Sequence, residues 1–438
     1  MKILLYCVDT VGKSMAGPAI RYWEFAKALS AHYEVILSVP NIPDVTSDTF
    51  SILPRQGYFS LEHLIGVDLV ITQHISNKLA IKAKKAGVRI ILDAYTPSIL
   101  ENMEVFNGLP LHLQDHQNHL TYRHTIFSFQ MADAIICASK RQRDLWMGAL
   151  TALGRLTPRK YLQDPTLKTF LDIVPFGLSN VPPKHQGNGL REMFKLPPDA
   201  KVLLWGGGIW NWFDPLTLLH AVKELADQNF PVYLVFMGVK HPNEKVPAMK
   251  MATDTQQLAQ DLGLLNKFVF FNYGWTPYEQ RQSFLLEADI GVSTHFEHLE
   301  TQYSFRTRIL DYIWAQLPII CTQGDSFAEL VEQHQLGVVV PYKDVGALSR
   351  AIRHVLENAE ERKSMQKNLH NIGKDFYWTE VVKPILKMIN FLEDKPKPKL
   401  DFQNMKTIFK NIWAFNKPST TLLKLQQRKY NNSSFGKI

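Results

Sequence analysis

Short apolar runs recur along most of the chain, and between them lie stretches whose apolar residues repeat with helical spacing. The runs at 2–8 (KILLYCV), 34–39, 67–72, 88–92 and 133–138 read as buried strands. Helices fit 18–31, 77–86, 116–131 and 140–150, the first with Ile20, Phe25, Ala28 and Leu29 inward. Ser139 followed by Gln142 is a capping-box start for the last of these. Pro182, Pro183, Pro197 and Pro198, with Gly187-Asn188-Gly189, then break the rhythm and mark a linker. It restarts with strands at 201–205, 232–237, 268–272, 290–293, 319–322 and 338–340, with helices between, one opened by Asp214-Pro215. Strands alternating with helices predict parallel sheets covered on both faces. The expected fold is therefore α/β, with two Rossmann-like domains whose parallel sheets face an interdomain cleft. The N-terminal domain spans 1–180 and the C-terminal domain 181–374. A helix at 375–394 can cross back to the first domain, and 395–438 forms a tail.

Ligands of such sheets sit beyond the carboxyl ends of the strands. His74, Asp93, Tyr95 and Ser139 fall at such ends in the first half. One polar residue there serves equally well as a helix cap, but four together mark a cleft. The loop 9–17 holds Gly-Lys-Ser without the spaced first glycine of a phosphate-binding P-loop, which excludes a nucleotide triphosphatase. Gly12 and Gly17 instead let the backbone turn tightly beside a ligand. In the second half, strand 201–205 runs into Gly206-Gly207-Gly208. The GxGxxG spacing is absent and no acid closes the next strand, which argues against a dehydrogenase. Bare backbone at this loop either packs it on a helix or admits a phosphate or sugar. Lys240, just past the strand that ends at Gly238, is a further donor-side candidate.

The chemistry is densest in 294–318, THFEHLETQYSFRTRILDYIWAQLP. A strand delivers a polar loop with His295, Glu297, His298 and Glu300. A helix follows, with Leu310, Ile313, Trp314 and Leu317 on one face, Ser304 and Thr307 as candidate caps, and Pro318 as its stop. A helix N-terminus offers free N–H groups to a phosphate. Arg306 and Arg308 beside it can add charge-assisted contacts. The competing reading is a solvated loop whose arginines pair with Glu297 and Glu300.

With 438 residues, 45% of them apolar, the chain can build two sizeable cores. Cys7, Cys137 and Cys321 each sit inside an apolar run, the pattern of buried strand thiols in a reducing, cytoplasmic setting. No run of 18 apolar residues predicts a membrane-spanning helix. The net charge of +8 is unevenly spread: 395–438 holds ten Lys/Arg and one acid, which leaves 1–394 at −1. Within this tail Lys395-Pro396-Lys397-Pro398-Lys399 is an extended spacer. Phe402, Met405, Ile408/Phe409 and Ile412/Trp413 then recur at helical spacing among lysines, which suits an anionic membrane surface. A solvated tail is the alternative, and nucleic acid is disfavoured because the body has no basic excess.

The two Rossmann-like halves, the proline-rich linker and the returning helix describe the GT-B architecture. The segment Leu310 to Ile319 resembles the Glu-x7-Glu region of retaining glycosyltransferases of family four, and 191–343 is similar to that family's C-terminal half throughout. Gly17-Pro18-Ala19-Ile20-Arg21 carries a looser resemblance in the first half. Three departures stand out. The second family glutamate is Asp311; Tyr303 and Ser304 stand eight and seven residues before it, where the first glutamate belongs; and the family's basic pair after the glycine loop is replaced by Ile209-Trp210-Asn211-Trp212-Phe213. Arg306 and Arg308 are the candidates to supply the missing charge.

The resemblance implies a hexosyl- or deoxyhexosyl-transferase that uses a nucleotide-sugar and retains anomeric configuration; the resemblance and the basic tail together suggest cell-surface polysaccharide synthesis at the inner face of the plasma membrane. The acceptor would be a glycan or lipid-linked. No Asp-x-Asp tripeptide occurs, so neither a metal nor a cofactor is expected. Gly206–Gly208, Lys240, Ser304, Phe305, Thr307, Arg306 and Arg308 are the expected donor contacts, with Asp311 or Glu300 on a ribose or sugar hydroxyl. Asp93 and His295 are expected at the transferred sugar or the acceptor hydroxyl, with Gly17, His74 and Tyr95 on the acceptor side. A catalytically inactive GT-B protein that binds a sugar nucleotide or glycan, and a sugar-nucleotide epimerase, remain the alternatives.

Overall fold

Each half of the chain forms one sheet, and every strand pairing within the two sheets is parallel. The computed structural model describes residues 1–55, 61–244, 246, 248–400 and 405–410. The first sheet contains β1 (Lys2–Tyr6), β2 (Glu34–Val39), β3 (Ser51–Pro54), β4 (Leu69–Thr72), β5 (Arg89–Asp93), β6 (Ala134–Cys137) and β7 (Leu171–Ile173), in the order β3-β2-β1-β4-β5-β6-β7. The second contains β8 (Val202–Trp205), β9 (Tyr233–Phe236), β10 (Val269–Phe271), β11 (Ile290–Ser293), β12 (Ile319–Thr322) and β13 (Gly337–Val340), in the order β10-β9-β8-β11-β12-β13. The order reverses between β1 and β4 and again between β8 and β11. Such switch points open crevices at the strands' carboxyl ends.

Several elements escape the hydrophobic pattern for identifiable reasons. Strand β3 lies at a sheet edge, ends in Pro54 and buries none of its residues fully. The helix Ser98–Val105 buries no residue, so it writes no apolar stripe into the sequence. The long helix expected from 116 begins at Leu111. The helix expected before Pro318 is Thr307–Trp314, and the polar loop expected ahead of it holds a short helix of its own, Leu299–Tyr303. Ser304 and Thr307 do not cap the helix Thr307–Trp314. The N-cap position is Arg306, without a side-chain cap, and the Ser304 hydroxyl is directed to Glu300 instead. The Ser139 cap forms, but Gln142 accepts from the Ala138 amide and spans from the Tyr95 carbonyl to the Tyr303 carbonyl. It therefore links the two domains.

The chain's end binds to its beginning. Gly177 faces the ring of Trp378, which a Cβ would meet at 2.5 Å, and Leu178 exchanges backbone hydrogen bonds with Phe376 and Trp378. The helix Lys383–Glu393 then lies on the first domain, where Tyr33 donates to Asn390 at 3.0 Å. Arg89 donates to the Lys395 carbonyl, and Lys397 comes within 4.0 Å of Asp68. The spacer thus runs along the amino ends of the first sheet. In the helical turn 405–410, Ile408 is buried among Leu4, Val70 and Leu79, while Phe409 is exposed. The part of the expected amphipathic face that Ile408 supplies is therefore covered by the protein itself. Phe402, Ile412 and Trp413 lie outside the described residues. No described helix is long and apolar enough to cross a membrane.

The helix Thr307–Trp314 is held against the second sheet by Tyr312. Its ring covers Gly291 in β11, where an added Cβ would stand 2.4 Å away. Its hydroxyl accepts from the Gly206 amide at 2.8 Å and lies 3.0 Å from the Leu204 and Val292 carbonyls. Glycine inside a strand is otherwise a loss of packing, and here it admits a close neighbour. Gly291→Ala should overpack this contact and cost about 1–3 kcal/mol, read as a lowered denaturation midpoint. An unchanged midpoint would show that the ring can move aside.

Candidate active site

The two switch points face each other across a cleft of about 660 Å³. The second domain contributes the glycine loop that leaves β8. Gly207 has φ +79°, and nothing lies within 4 Å of where its side chain would be. This stretch of backbone is therefore open to a ligand. The first domain contributes Gly17, Tyr95 and Thr96 at its strand ends. Interdomain hydrogen bonds hold the walls together. Trp275 donates to the Met15 carbonyl at 3.0 Å, Asn243 to Asp9 at 2.8 Å, and the Tyr278 amide to the Lys13 carbonyl at 2.9 Å.

The two arginines of the central segment both line this cleft, in different electrostatic states. Arg306 forms a buried bidentate pair with Glu300, at 2.7 and 2.6 Å, and Glu300 also accepts from Ser304. Arg306 thus has the Glu300 partner of the competing reading, but the pair is buried and not solvated. Arg308 is 7% exposed and, among the described residues, has no carboxylate partner. One of its nitrogens donates to the Gly208 carbonyl at 2.8 Å, while Nη1 has no hydrogen-bond partner. The guanidinium lies 3.9 Å from the centre of the Phe213 ring and 4.5 Å from that of Trp205. Burial pulls its pKa down to about 9, with the neighbouring Arg306 charge acting in the same direction. It remains a cation at neutral pH, so the cleft holds a desolvated positive charge beside open glycine backbone.

Of the other expected donor-side residues, Gly206, Gly208, Glu300, Ser304, Phe305, Thr307 and Asp311 line the cleft. Asp311 is already engaged by Arg281 at 3.2 Å, and Arg281 stacks on Tyr278. Lys240 is exposed and is not among the lining residues. Trp210 and Trp212, where the resembled family has its basic pair, are stacked with planes 2° apart and join the wall.

Asp93, His295 and His74 stand away from the cleft. Asp93 is fully buried and holds Arg21 by hydrogen bonds of 2.8 and 2.9 Å, while Arg21 also donates to the Val174 and Pro175 carbonyls. Its carboxylate ties strand ends together and faces no open space. His295 is likewise fully buried, 3.4 Å from Asp325. Burial alone would raise the Asp325 pKa, but His295, Arg306 and the Ala328 amide hold it below the usual carboxylate range. His295 therefore supports the Arg306–Glu300 pair from behind. His74 is exposed, with its ring 4.9 Å from that of His124, and Ser139 is spent as a helix cap.

Residues absent from the expected set also line the cleft, among them Glu101, Arg281, Trp275 and His241. Trp275 and Arg281 follow the carboxyl end of β10 and the loop beyond it, a location the sheet rule flags. Glu101 belongs to the helix that leaves no apolar stripe, so the pattern carries no signal for it. Among the described residues no group of three His, Cys, Asp or Glu side chains is placed to hold a metal ion. Burial pushes the Cys7 and Cys137 thiols up to about 12, so neither is a ready nucleophile.

The unequal pairing of the arginines gives opposite expectations for stability. Arg306→Ala leaves Glu300 buried and unpaired, and should cost about 3–5 kcal/mol. Arg308→Met removes a buried charge that has no counter-ion, and should leave the ligand-free protein at least as stable as wild type. Thermal or denaturant unfolding of both variants checks this. Equal, large losses would mean that Arg308 is held by a partner as strong as Glu300.

Comparison with known proteins agrees with this fold. Residues 191–371 match the family described as glycosyl transferases group 1. A search of curated proteins finds no match. Among solved structures, sucrose-phosphate synthase from Thermosynechococcus elongatus is 16% identical with a TM-score of 0.62, covering 90% of this chain and 99% of its own. WaaG, a glycosyltransferase involved in lipopolysaccharide biosynthesis, is 14% identical with a TM-score of 0.58, over 89% and 98%. Anabaena HepE in complex with UDP-glucose is 14% identical with a TM-score of 0.59, over 90% and 100%. The chain has the GT-B fold of these glycosyltransferases, and the larger part of its C-terminal domain matches the family described as glycosyl transferases group 1.

Proposed function

We propose that the protein transfers a hexose or deoxyhexose from a nucleotide-sugar donor to a glycan or lipid-linked acceptor, with retention of anomeric configuration and without a metal ion. The observation that carries this reading is Arg308, a buried cation with an unpartnered nitrogen beside the open glycine loop. Departure of a nucleoside diphosphate builds negative charge, and a fixed donor in a water-poor site stabilises it most. In this reading Arg308 and the amides of 206–208 receive the diphosphate. Arg306 acts mainly to hold Glu300 in place, and Thr307 lies at the adjoining helix start. Asp311, which Arg281 engages through Oδ1, faces the cleft as an acceptor for a ribose or sugar hydroxyl.

The basic tail supports a place on an anionic membrane surface at the inner face of the plasma membrane, consistent with an acceptor made for cell-surface polysaccharide. At this surface each exposed lysine contributes about 1 kcal/mol. Lys397 and Lys399, at the amino ends of the first sheet, are suited to this.

One observation favours a second reading, a GT-B protein that binds a sugar nucleotide without turning it over. The Glu300 oxygens are occupied by Arg306 and Ser304, and tryptophans stand where the resembled family has its basic pair.

Thermal stabilisation by UDP-, GDP-, ADP- and dTDP-sugars tests both readings. UDP-glucose heads the panel because HepE was solved with it. A ligand present at a hundredfold its Kd adds about 2.7 kcal/mol to stability. One nucleotide should stabilise the wild type and fail to stabilise Arg308→Met. Stabilisation without donor turnover would select the second reading, and no stabilisation by any member would refute both.

A further inference from the structure

The cleft contains three carboxylates that the protein itself satisfies: Asp9 with Asn243, Asp311 with Arg281, and Glu300 with Arg306. Among the described residues, Glu101 is the cleft carboxyl left without an ion pair or hydrogen bond. It stands on the helix Ser98–Val105 of the first domain, half-buried, and this helix packs against Leu299–Tyr303 of the second. Glu101 therefore faces the Glu300–Arg306 pair across the domain boundary, with Tyr95 on its own side.

From this placement we propose that Glu101 is a catalytic residue, the base that takes the proton from the attacking hydroxyl. The inference rests on the glycosyl-transfer reading and extends it. For configuration to be retained, the acceptor oxygen approaches the anomeric carbon on the face from which the diphosphate departs; as it bonds there, its O–H bond breaks and the proton passes to a Glu101 oxygen. The bond from that carbon to the diphosphate breaks, and its electron pair leaves on the diphosphate at Arg308. Among the described residues, the two cleft groups without an ion-pair partner, one from each domain, thus take the proton and the departing charge. The satisfied carboxylates are poorer bases because their oxygens already accept hydrogen bonds, and Asp93 lies behind the cleft wall.

The electrostatics suit the role. Burial raises the Glu101 carboxyl to about 8, the Glu300 charge acts in the same direction, and Arg306 opposes both. Tyr95 is the remaining titratable neighbour, and the helix Leu111–Met131 packed behind Glu101 adds no charge among those that act on it. A base whose pKa lies near the working pH combines useful basicity with a useful population of the ionised form.

The test is the pH dependence of donor hydrolysis, with water as the acceptor, for wild type and Glu101→Gln. Release of nucleoside diphosphate is followed from UDP-, GDP-, ADP- and dTDP-glucose between pH 6 and pH 9.5, with nucleotide-induced stabilisation measured in parallel. The wild-type kcat/KM should rise about tenfold per pH unit below about 8 and then level off. Glu101→Gln should keep its nucleotide stabilisation, lose about 10²–10⁴-fold in kcat, and show no such limb. A variant within threefold of wild type, or one with the same limb, overturns the assignment and leaves the transferase reading standing. If the wild type turns over none of the donors, the transferase reading fails first and the assignment fails with it.

Discussion

A guanidinium removed from water without a carboxylate to meet it is costly, with a penalty of about several kcal/mol even after the protein relaxes around it. Arg308 imposes that constraint on the second domain. The Gly208 carbonyl and the faces of Trp205 and Phe213 return part of the cost, with each cation–aromatic contact contributing about 0.5–2 kcal/mol. The remainder is stored until an anion arrives. The local fold keeps the side chain from escaping to solvent. Gly291 lets Tyr312 lie flat on β11, and the Tyr312 hydroxyl fixes the Gly206 amide. The helix start at Thr307 and the glycine loop are therefore positioned by the same residue. Uncompensated charge is tolerated where it is useful, and the compensating packing sits one helical turn away.

Arg306, two residues earlier, shows the contrasting solution. Its charge is met by Glu300, Glu300 also accepts from Ser304, and His295 with Asp325 closes the network behind. These polar groups, all nearly inaccessible to solvent, form a scaffold that sets the cleft wall and has little capacity left for a ligand. The cleft's other wall is bound to this one by Trp275, Asn243 and Gln142, which cross between domains. The returning C-terminal helix adds a second tie far from the cleft, through Gly177–Trp378 and Tyr33–Asn390. Together these contacts place the first domain's Glu101 opposite the second domain's Glu300–Arg306 pair.

Much of the architecture was legible because buried parallel strands leave near-continuous apolar runs, and strand–helix alternation restricts how they can be arranged. The glycine loop and the arginine segment were legible because each follows such a run. Partnerships were not legible. Nothing near Asp93 in the sequence announces that Arg21, 72 positions away, consumes its carboxylate. Arg306 and Arg308 have the same local appearance, and only the tertiary position of Glu300 separates a paired cation from an unpaired one. Glu101 was missed because its helix buries no residue, and periodicity detects helices through what they bury. In the tail, likewise, an apolar stripe does not say what covers it, and Ile408 is covered by the first domain.

A structure of the protein with a stabilising nucleoside diphosphate tests most directly whether Arg308 receives the diphosphate. A phosphate oxygen should lie in hydrogen-bond contact with Arg308 Nη1 and with backbone amides of 206–208, while the Arg306–Glu300 pair stays intact. A diphosphate held elsewhere, with Nη1 still unpartnered, would contradict that role for Arg308.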